Sequence, residues 1–456
     1  MDGVTAVLDI GKTNVKVATF SRDGALVWER SLPNRMRPGP LYPHADVEQI
    51  WAFLLGALAD ANKASPIAAI VPTTHGCAAA LIDDHGLMLP VMDYEFAGVD
   101  EIEPFYASLR PPFSEAFSPA LPVGLNLARQ LAWQQRHFPE MFARAKYLLA
   151  YPQYWAWRLS GVAASEVTSL GAHSDLWAPL QGQFSSVVSA LDLRRLMPPL
   201  QPAYRRLAPI KPDIAAAAGI ACNAGVFCGV HDSNASLLPH LGSRHRPFTI
   251  VSTGTWVILM APGLSVMVLN PTDDTLANVD VEGRPVATAR FMGGREYAAI
   301  ACAQGNPEPA SLARVIEAGA MALPCFAGQG AGGPFAAHQG EIIGDITPAD
   351  RPALATLYVV LMSDLMLTRL GVTSGDLIVE GSFAANPAFA ALLAALRPTQ
   401  PVYSGSDAAG TARGAALLAN WPLPNLQPPP LIPASPCAVE DLHAYRDAWT
   451  RAVLAR

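Results

Sequence analysis

Two short polar turns, 243 positions apart, constrain this 456-residue chain more than any other feature. The first follows the apolar run Val4–Asp9, reads Ile10-Gly11-Lys12-Thr13-Asn14, and gives way to the roughly alternating Val15–Phe20. The second follows Phe248–Ser252, reads Thr253-Gly254-Thr255, and gives way to Trp256–Met260. Strand, polar turn, strand is the pattern of a β-hairpin. Its recurrence near mid-chain predicts two related halves that join at about Arg244–Pro247, one over 1–245 and one over 246–456. That is within the two to three domains such a length suggests.

Each half continues as an α/β pattern. Arg22-Asp23-Gly24 is a turn signal and Ala25–Arg30 reads as a third strand. Asp46 is placed to cap a helix reaching about Ala61, with Glu48 and Gln49 in its first turn. Ile67–Pro72 reads as a buried strand ending at Thr73-Thr74-His75-Gly76, and Ala78–Ile82 as another. Helices are predicted over Leu125–His137, Met141–Leu149 and Tyr151–Leu159. In the second half Leu377–Glu380 is a strand running into Gly381-Ser382. Asn386 and Pro387 then fit the N-cap and first position of a helix to Arg397. Asp407–Ala416 opens a further helix whose small face fits either close packing or a ligand.

Hydrophobic residues make up 51% and charged residues 15%, which excludes a disordered chain and requires large interiors. The net charge is −7 and Lys/Arg never cluster, which argues against a nucleic-acid groove or an anionic membrane surface. Met1-Asp2-Gly3 leads straight into a strand, so no signal peptide is expected. The longest apolar stretch, Val251–Leu269, is interrupted by polar residues, Gly254, Pro262 and Gly263, so no membrane span is expected there. Cys77, Cys222, Cys228, Cys302, Cys325 and Cys437 show no C-x-x-C spacing, which predicts buried, reduced thiols and a cytoplasmic protein.

Two motifs resemble nucleotide loops only in their letters. Gly11-Lys12-Thr13 lacks the leading glycine of a P-loop, because Ala6 stands there, and a strand follows instead of a helix. Gly328-x-Gly330-x-x-Gly333 lies between Pro324 and Pro334, which rules out the strand and helix of a dinucleotide fingerprint.

Other positions carry chemistry. Main-chain N–H groups and the small polar side chains of Gly11, Thr13 and Asn14, with Lys12 and Lys16, suit a phosphate tail. Asp9 at the strand end is either a Mg²⁺ carboxylate or a solvated hairpin residue. Thr253, Gly254 and Thr255 offer similar donors without the charge. In Gly229-Val230-His231-Asp232, Asp232 at a strand–helix junction is either a general base or a helix N-cap. Gly381 and Ala384-Ala385 leave a flat place for a planar ring.

Taken in order, Asp9-x-Gly11-x-Thr13-x-x-Lys16, Gly229-x-His231-Asp232, Ser252-Thr253-Gly254-Thr255-Trp256, Gly381-Ser382-x-x-x-Asn386 and Gly410-x-Ala412-x-Gly414-Ala415 resemble the FGGY carbohydrate kinases of the sugar kinase/actin/heat-shock superfamily. The His-Asp pair and the Gly-Thr-Trp turn are most similar to the rhamnulokinase and fuculokinase branch. The resemblance implies two actin-like (ribonuclease H-like) α/β domains with ATP and sugar in a cleft between them. It implies Asp232 as catalytic base, Asp9 near Mg²⁺, and Lys12, Thr13, Asn14, Lys16, Thr253, Gly254, Thr255, Gly381, Ser382 and Asn386 toward ATP. His75, Gly76 and His231 fall on the sugar side with Asp232. The expected reaction is phosphorylation of a hydroxyl, the terminal one, of a small ketose: a 6-deoxyketohexose or a ketopentose. A homodimer is compatible with the resemblance.

The chain departs from the family pattern in Thr73-Thr74-His75-Gly76, in Pro90–Phe96, which has no Arg, and in Gly-Ser where Gly-Gly is usual. The rival readings are a non-catalytic sugar or nucleotide sensor and an actin- or chaperone-type ATPase. Sugar-stimulated ADP release separates the kinase from both.

Overall fold

The computed structural model describes residues 3–243, 247–302, 305–328, 333–405, 410–423 and 426–456. Arg244, Gly330, and Asp407 through Ala409 of the predicted helix lie outside them. The chain forms two compact units. One comprises 1–244 with 277–285 and 409–428; the other comprises 245–276, 286–408 and 429–456.

The first unit opens as expected. β1 (Val4–Ile10), β2 (Asn14–Phe20) and β3 (Leu26–Pro33) form an antiparallel meander. α1 (Val47–Ala64) follows, capped by Asp46, whose carboxylate accepts from Gln49 N at 3.2 Å. β4 (Ile67–Thr74) then pairs parallel to β1. β5 (Gly225–Phe227) and β6 (Val230–His231) both pair parallel to β4, and α2 (Asp232–Leu241) starts where β6 ends. Ile50, Leu54, Ala57, Leu58 and Ala61 form one buried stripe of α1 against Leu8, Val15 and Val17. Leu54 is fully enclosed, and truncating it to Ala would cost about 2–5 kcal/mol.

The opposite face of this sheet packs on α2 and on the helix Gly410–Leu417, through Val7, Ala18, Val71, Ala235, Ala412 and Ala415. The small face of that helix is thus a packing face. A Cβ on Gly414 would stand 1.8 Å from the Ala235 carbonyl oxygen, so only glycine permits this approach.

The second unit repeats the plan. β7 (Phe248–Thr253), β8 (Val257–Pro262) and β9 (Pro285–Phe291) are antiparallel neighbours. α3 (Gly293–Ala301) and α4 (Arg351–Arg369) follow. β10 (Asp376–Gly381) is parallel to β7, as β4 is to β1. α5 (Pro387–Leu396), capped by Asn386, leads to β11 (Val402–Gly405), parallel to β10. The segment 348–369 is the one helix among the described residues long and apolar enough to cross a membrane, and 78% of its most apolar window is buried in the fold. It is the core helix of this unit.

Three expectations need correction. Met141–Leu149 is not one helix: Pro139–Arg144 is helical, and Tyr147–Ala150 is a strand paired with Ala79–Ile82. Leu148 and Leu149 fit a helix or a strand equally well, and the pairing decides. Cys222 and Cys302 are exposed, while Cys77, Cys228 and Cys325 are buried; none of the six forms a disulfide. Asp232 is the first residue of its helix, and His231 holds the cap position.

Candidate active site

In the first unit the parallel strands β1, β4 and β6 deliver Asp9, His75 and Asp232 to the same edge of the sheet. Asp9 stands opposite Thr73, and His231 opposite Thr74. The carboxyl ends of such strands are where α/β sheets bind ligands.

Asp232 is held by its own helix start. Ser233 N donates to Oδ1 at 2.6 Å and the Ser233 hydroxyl at 3.3 Å. Asn234 Nδ2 donates to His231 Nδ1 at 3.3 Å, so His231 Nε2 carries the hydrogen and faces Asp232 Oδ1 at 3.3 Å. Burial holds the His231 imidazole below its ordinary pKa, and Asp232 partly offsets this. One carboxylate oxygen of Asp232 is therefore oriented, and the side chain keeps 31% exposure for a substrate.

His75 donates from Nδ1 to the Gly76 carbonyl at 2.8 Å, while its Nε2 is buried without a partner. Its ring meets Tyr94 at 5.7 Å and Tyr151 at 5.3 Å between centroids. Gly76 leaves room for His231: a Cβ there would lie 2.8 Å from His231 Nε2. Burial pushes Asp9 up to about 6; Lys16, 4.0 Å away, draws it back, and Asp232 adds to the rise.

Thr13 and Asn14 are exposed at the first turn, which Asn34 braces by donating from N to the Thr13 carbonyl and from Nδ2 to the Gly11 carbonyl, both at 2.8 Å. Lys12 turns elsewhere. Its ammonium pairs with Asp93 and lies 4.4 Å from the centre of the Tyr94 ring.

In the second unit, the Thr253 hydroxyl donates to the Glu380 carbonyl and accepts from Phe383 N at 2.8 Å, which ties the Gly254 turn to the 381–383 turn. Gly381 sits at φ +80°, and a Cβ there would be 1.9 Å from the Thr253 carbonyl oxygen. Asn386 is spent as a cap, accepting from Ala388 N at 3.1 Å and donating to Thr356 at 3.2 Å. Thr255 and Ser382 are left open to a ligand, and Gly254, whose N–H donates to the Trp256 carbonyl at 2.8 Å, adds a place without a side chain. They line a cavity of about 780 Å³ together with Arg295, Tyr297 and Phe383. Tyr297 and Phe383 approach at 5.4 Å between ring centroids. The sequence reading missed this α3 wall, although Gly293-Gly294 opening a helix is a signal for it.

No cluster of three or more His, Cys, Asp or Glu side chains suited to a metal occurs among the described residues. Mg²⁺ in phosphoryl chemistry needs only one or two carboxylates, the rest being water and phosphate oxygen, and Asp9 fits that role.

Residues 118–239 match the N-terminal domain of the FGGY family of carbohydrate kinases, and residues 245–428 match the C-terminal domain of carbohydrate kinase FGGY. A carbohydrate kinase from Novosphingobium aromaticivorans is 35% identical, with a TM-score of 0.86, over 98% of this chain and 100% of its own. The chain belongs to the FGGY family of carbohydrate kinases. This FGGY chain is also 27% identical over 279 residues to the L-fuculokinase of Escherichia coli strain K12, a match spanning 58% of the chain and 57% of the relative's length. Xylulose kinase from Lactobacillus acidophilus shares the fold at a TM-score of 0.82 with 14% identity, over 99% of this chain and 98% of its own.

Proposed function

We propose that the chain is an ATP-dependent sugar kinase that phosphorylates the terminal hydroxyl of a small ketose, either a 6-deoxyketohexose or a ketopentose. The observation that carries this reading is Asp232, with one oxygen oriented by Ser233 and His231 and its side chain partly exposed at the strand-end edge. The similarity to an L-fuculokinase and to the xylulose kinase of Escherichia coli strain K12, 28% identical over 223 residues, supports the ketose class.

The steps follow from the residues. Asp232 accepts the proton of the sugar hydroxyl as its oxygen attacks the γ-phosphorus of ATP in line; the bond to the β–γ bridging oxygen breaks and ADP leaves. His75 Nε2, a bare acceptor, suits a second sugar hydroxyl, and the Nε2–H of His231 keeps Asp232 oriented. Within the first unit Thr13, Asn14 and Lys16 suit phosphate oxygens, and within the second unit the Thr255 and Ser382 hydroxyls beside Gly254 suit them too. The wall of Tyr297 and Phe383 suits a flat base. Lys12, already paired with Asp93, belongs to the acceptor side. Mg²⁺ held at Asp9 would neutralise charge on the transferred group.

An ADP-release screen over ketopentoses, ketohexoses, 6-deoxyketohexoses, polyols and glycerol tests the reading. Stimulation by one ketose supports it. ATP turnover indifferent to every sugar would favour the ATPase alternative, and ligand binding without turnover the sensor.

A further inference from the structure

Behind His231 lies a buried carboxylate that the reaction above does not use. Glu166 has no exposed surface. It precedes the short helix Val167–Leu170 and accepts from Thr168 N at 2.9 Å, from the Thr168 hydroxyl at 2.6 Å and from Ser169 N at 3.2 Å. Thr168, equally buried, accepts from His231 N at 3.0 Å through the same hydroxyl oxygen.

The direction of these bonds is fixed. Because the Thr168 hydroxyl gives its only hydrogen to Glu166, its lone pair faces the His231 N–H. β6 is two residues long, and its other edge is the ladder with β4. Without the Thr168 oxygen, the His231 N–H would be a buried donor lacking that partner, one residue from Asp232.

Capping alone does not account for Glu166. A four-residue helix is capped as well by Ser, Thr, Asn or Asp. The Glu166 side chain instead borders a void of about 10 Å³ walled by Ala79, Leu127, Leu148, Leu170, Leu176 and Met197. A carboxylate in apolar surroundings is costly unless its hydrogen bonds do something a hydroxyl cannot. One oxygen takes the Thr168 N–H and the other takes both the Thr168 hydroxyl and Ser169 N. Both oxygens can accept in this way when the carboxyl is ionised, above about pH 7, whereas an amide in its place would set an NH₂ against at least one donor at any pH.

We infer that Glu166 and Thr168 are positioning residues that set the place of Asp232 by fixing the main chain at His231. This rests on Asp232 as the base, and the test separates the two claims. Steady-state ADP release is measured with ATP and the ketose that stimulates it most, alongside ATP binding by calorimetry and thermal unfolding. Thr168→Val keeps the shape and removes the oxygen. It lowers kcat on the order of 10- to 100-fold, as a small misplacement of a reacting group does, while KM for ATP stays within about twofold. Thr168→Ser restores kcat to within about threefold of wild type. Should Thr168→Val fail to fold, Glu166→Asp, which shortens the reach, is read in its place and lowers kcat with KM for ATP unchanged. Wild-type kcat in Thr168→Val or its replacement overturns the inference. So does a loss shared equally by kcat and ATP affinity, which marks a merely structural role. Asp232→Asn is measured in parallel: if it is active, the base assignment fails; if it is inactive while Thr168→Val has full kcat, only the positioning claim fails.

Discussion

The ammonium of Lys12 is paired with the carboxylate of Asp93, a residue 81 positions further along the chain. Lys12 belongs by sequence to the phosphate turn, yet its charge is committed to the segment Pro90–Phe96, which has no arginine. Removing it should therefore be felt by the sugar. We expect Lys12→Gln to raise KM for the sugar about tenfold, the loss of one charge-assisted contact, with KM for ATP within twofold. The opposite pattern in initial-rate kinetics would return Lys12 to the nucleotide.

Asp232→Asn should preserve the fold and ATP binding and reduce transfer by about 10²- to 10⁴-fold, the range for losing a general base. Calorimetric titration with ATP and ADP release on one preparation check both halves. Transfer at the wild-type rate would remove Asp232 from the mechanism.

Tyr297→Ala opens one wall of the 780 Å³ cavity. Base–aromatic stacking is worth about 1–3 kcal/mol, so KM for ATP should rise at least fivefold while KM for the sugar holds. A change confined to the sugar would place the base elsewhere.

Burial raises the Glu166 carboxyl from its ordinary 4.5 to about 7, although Thr168 and Ser169 donate to it. The folded protein thus holds this proton more tightly than the unfolded chain does. The associated stability is whole below about pH 4.5 and is lost as the pH rises through about 7, on the order of 3 kcal/mol across the window. Urea unfolding at several pH values should show wild type losing roughly that amount relative to Glu166→Gln as the pH rises from about 4.5 past 7. Parallel pH curves would put the carboxyl in the ordinary range.

What could be read from the sequence was local. The strands around Gly11 and Gly254 alternate or run apolar over short spans, Asp46 and Asn386 announce their helices, and the spacing of five motifs carried the family. The misses were decided by distant partners. Tyr147–Ala150 is a strand only because Ala79–Ile82 lies beside it. The hydroxyl of Thr253, expected toward the nucleotide, also ties to residues about 130 positions away, which no local pattern shows. Glu166 carried no signal at all, since nothing nearby in sequence reveals the wall that closes over it.

The contact of Gly414 with Ala235 bears on the order in which the chain is made. The helix that begins with Asp232 leans on a segment synthesised some 180 residues later. A chain of the first 244 residues has a sheet with one face covered by α2 alone, Val7, Ala18 and Val71 still waiting for Ala412 and Ala415. Domains usually fold as units during synthesis, N-terminal first. Here the base would settle into place only after the nucleotide half has emerged, so a nascent chain cut short before residue 410 would carry every acceptor-side residue and still lack the scaffold that holds Asp232 steady.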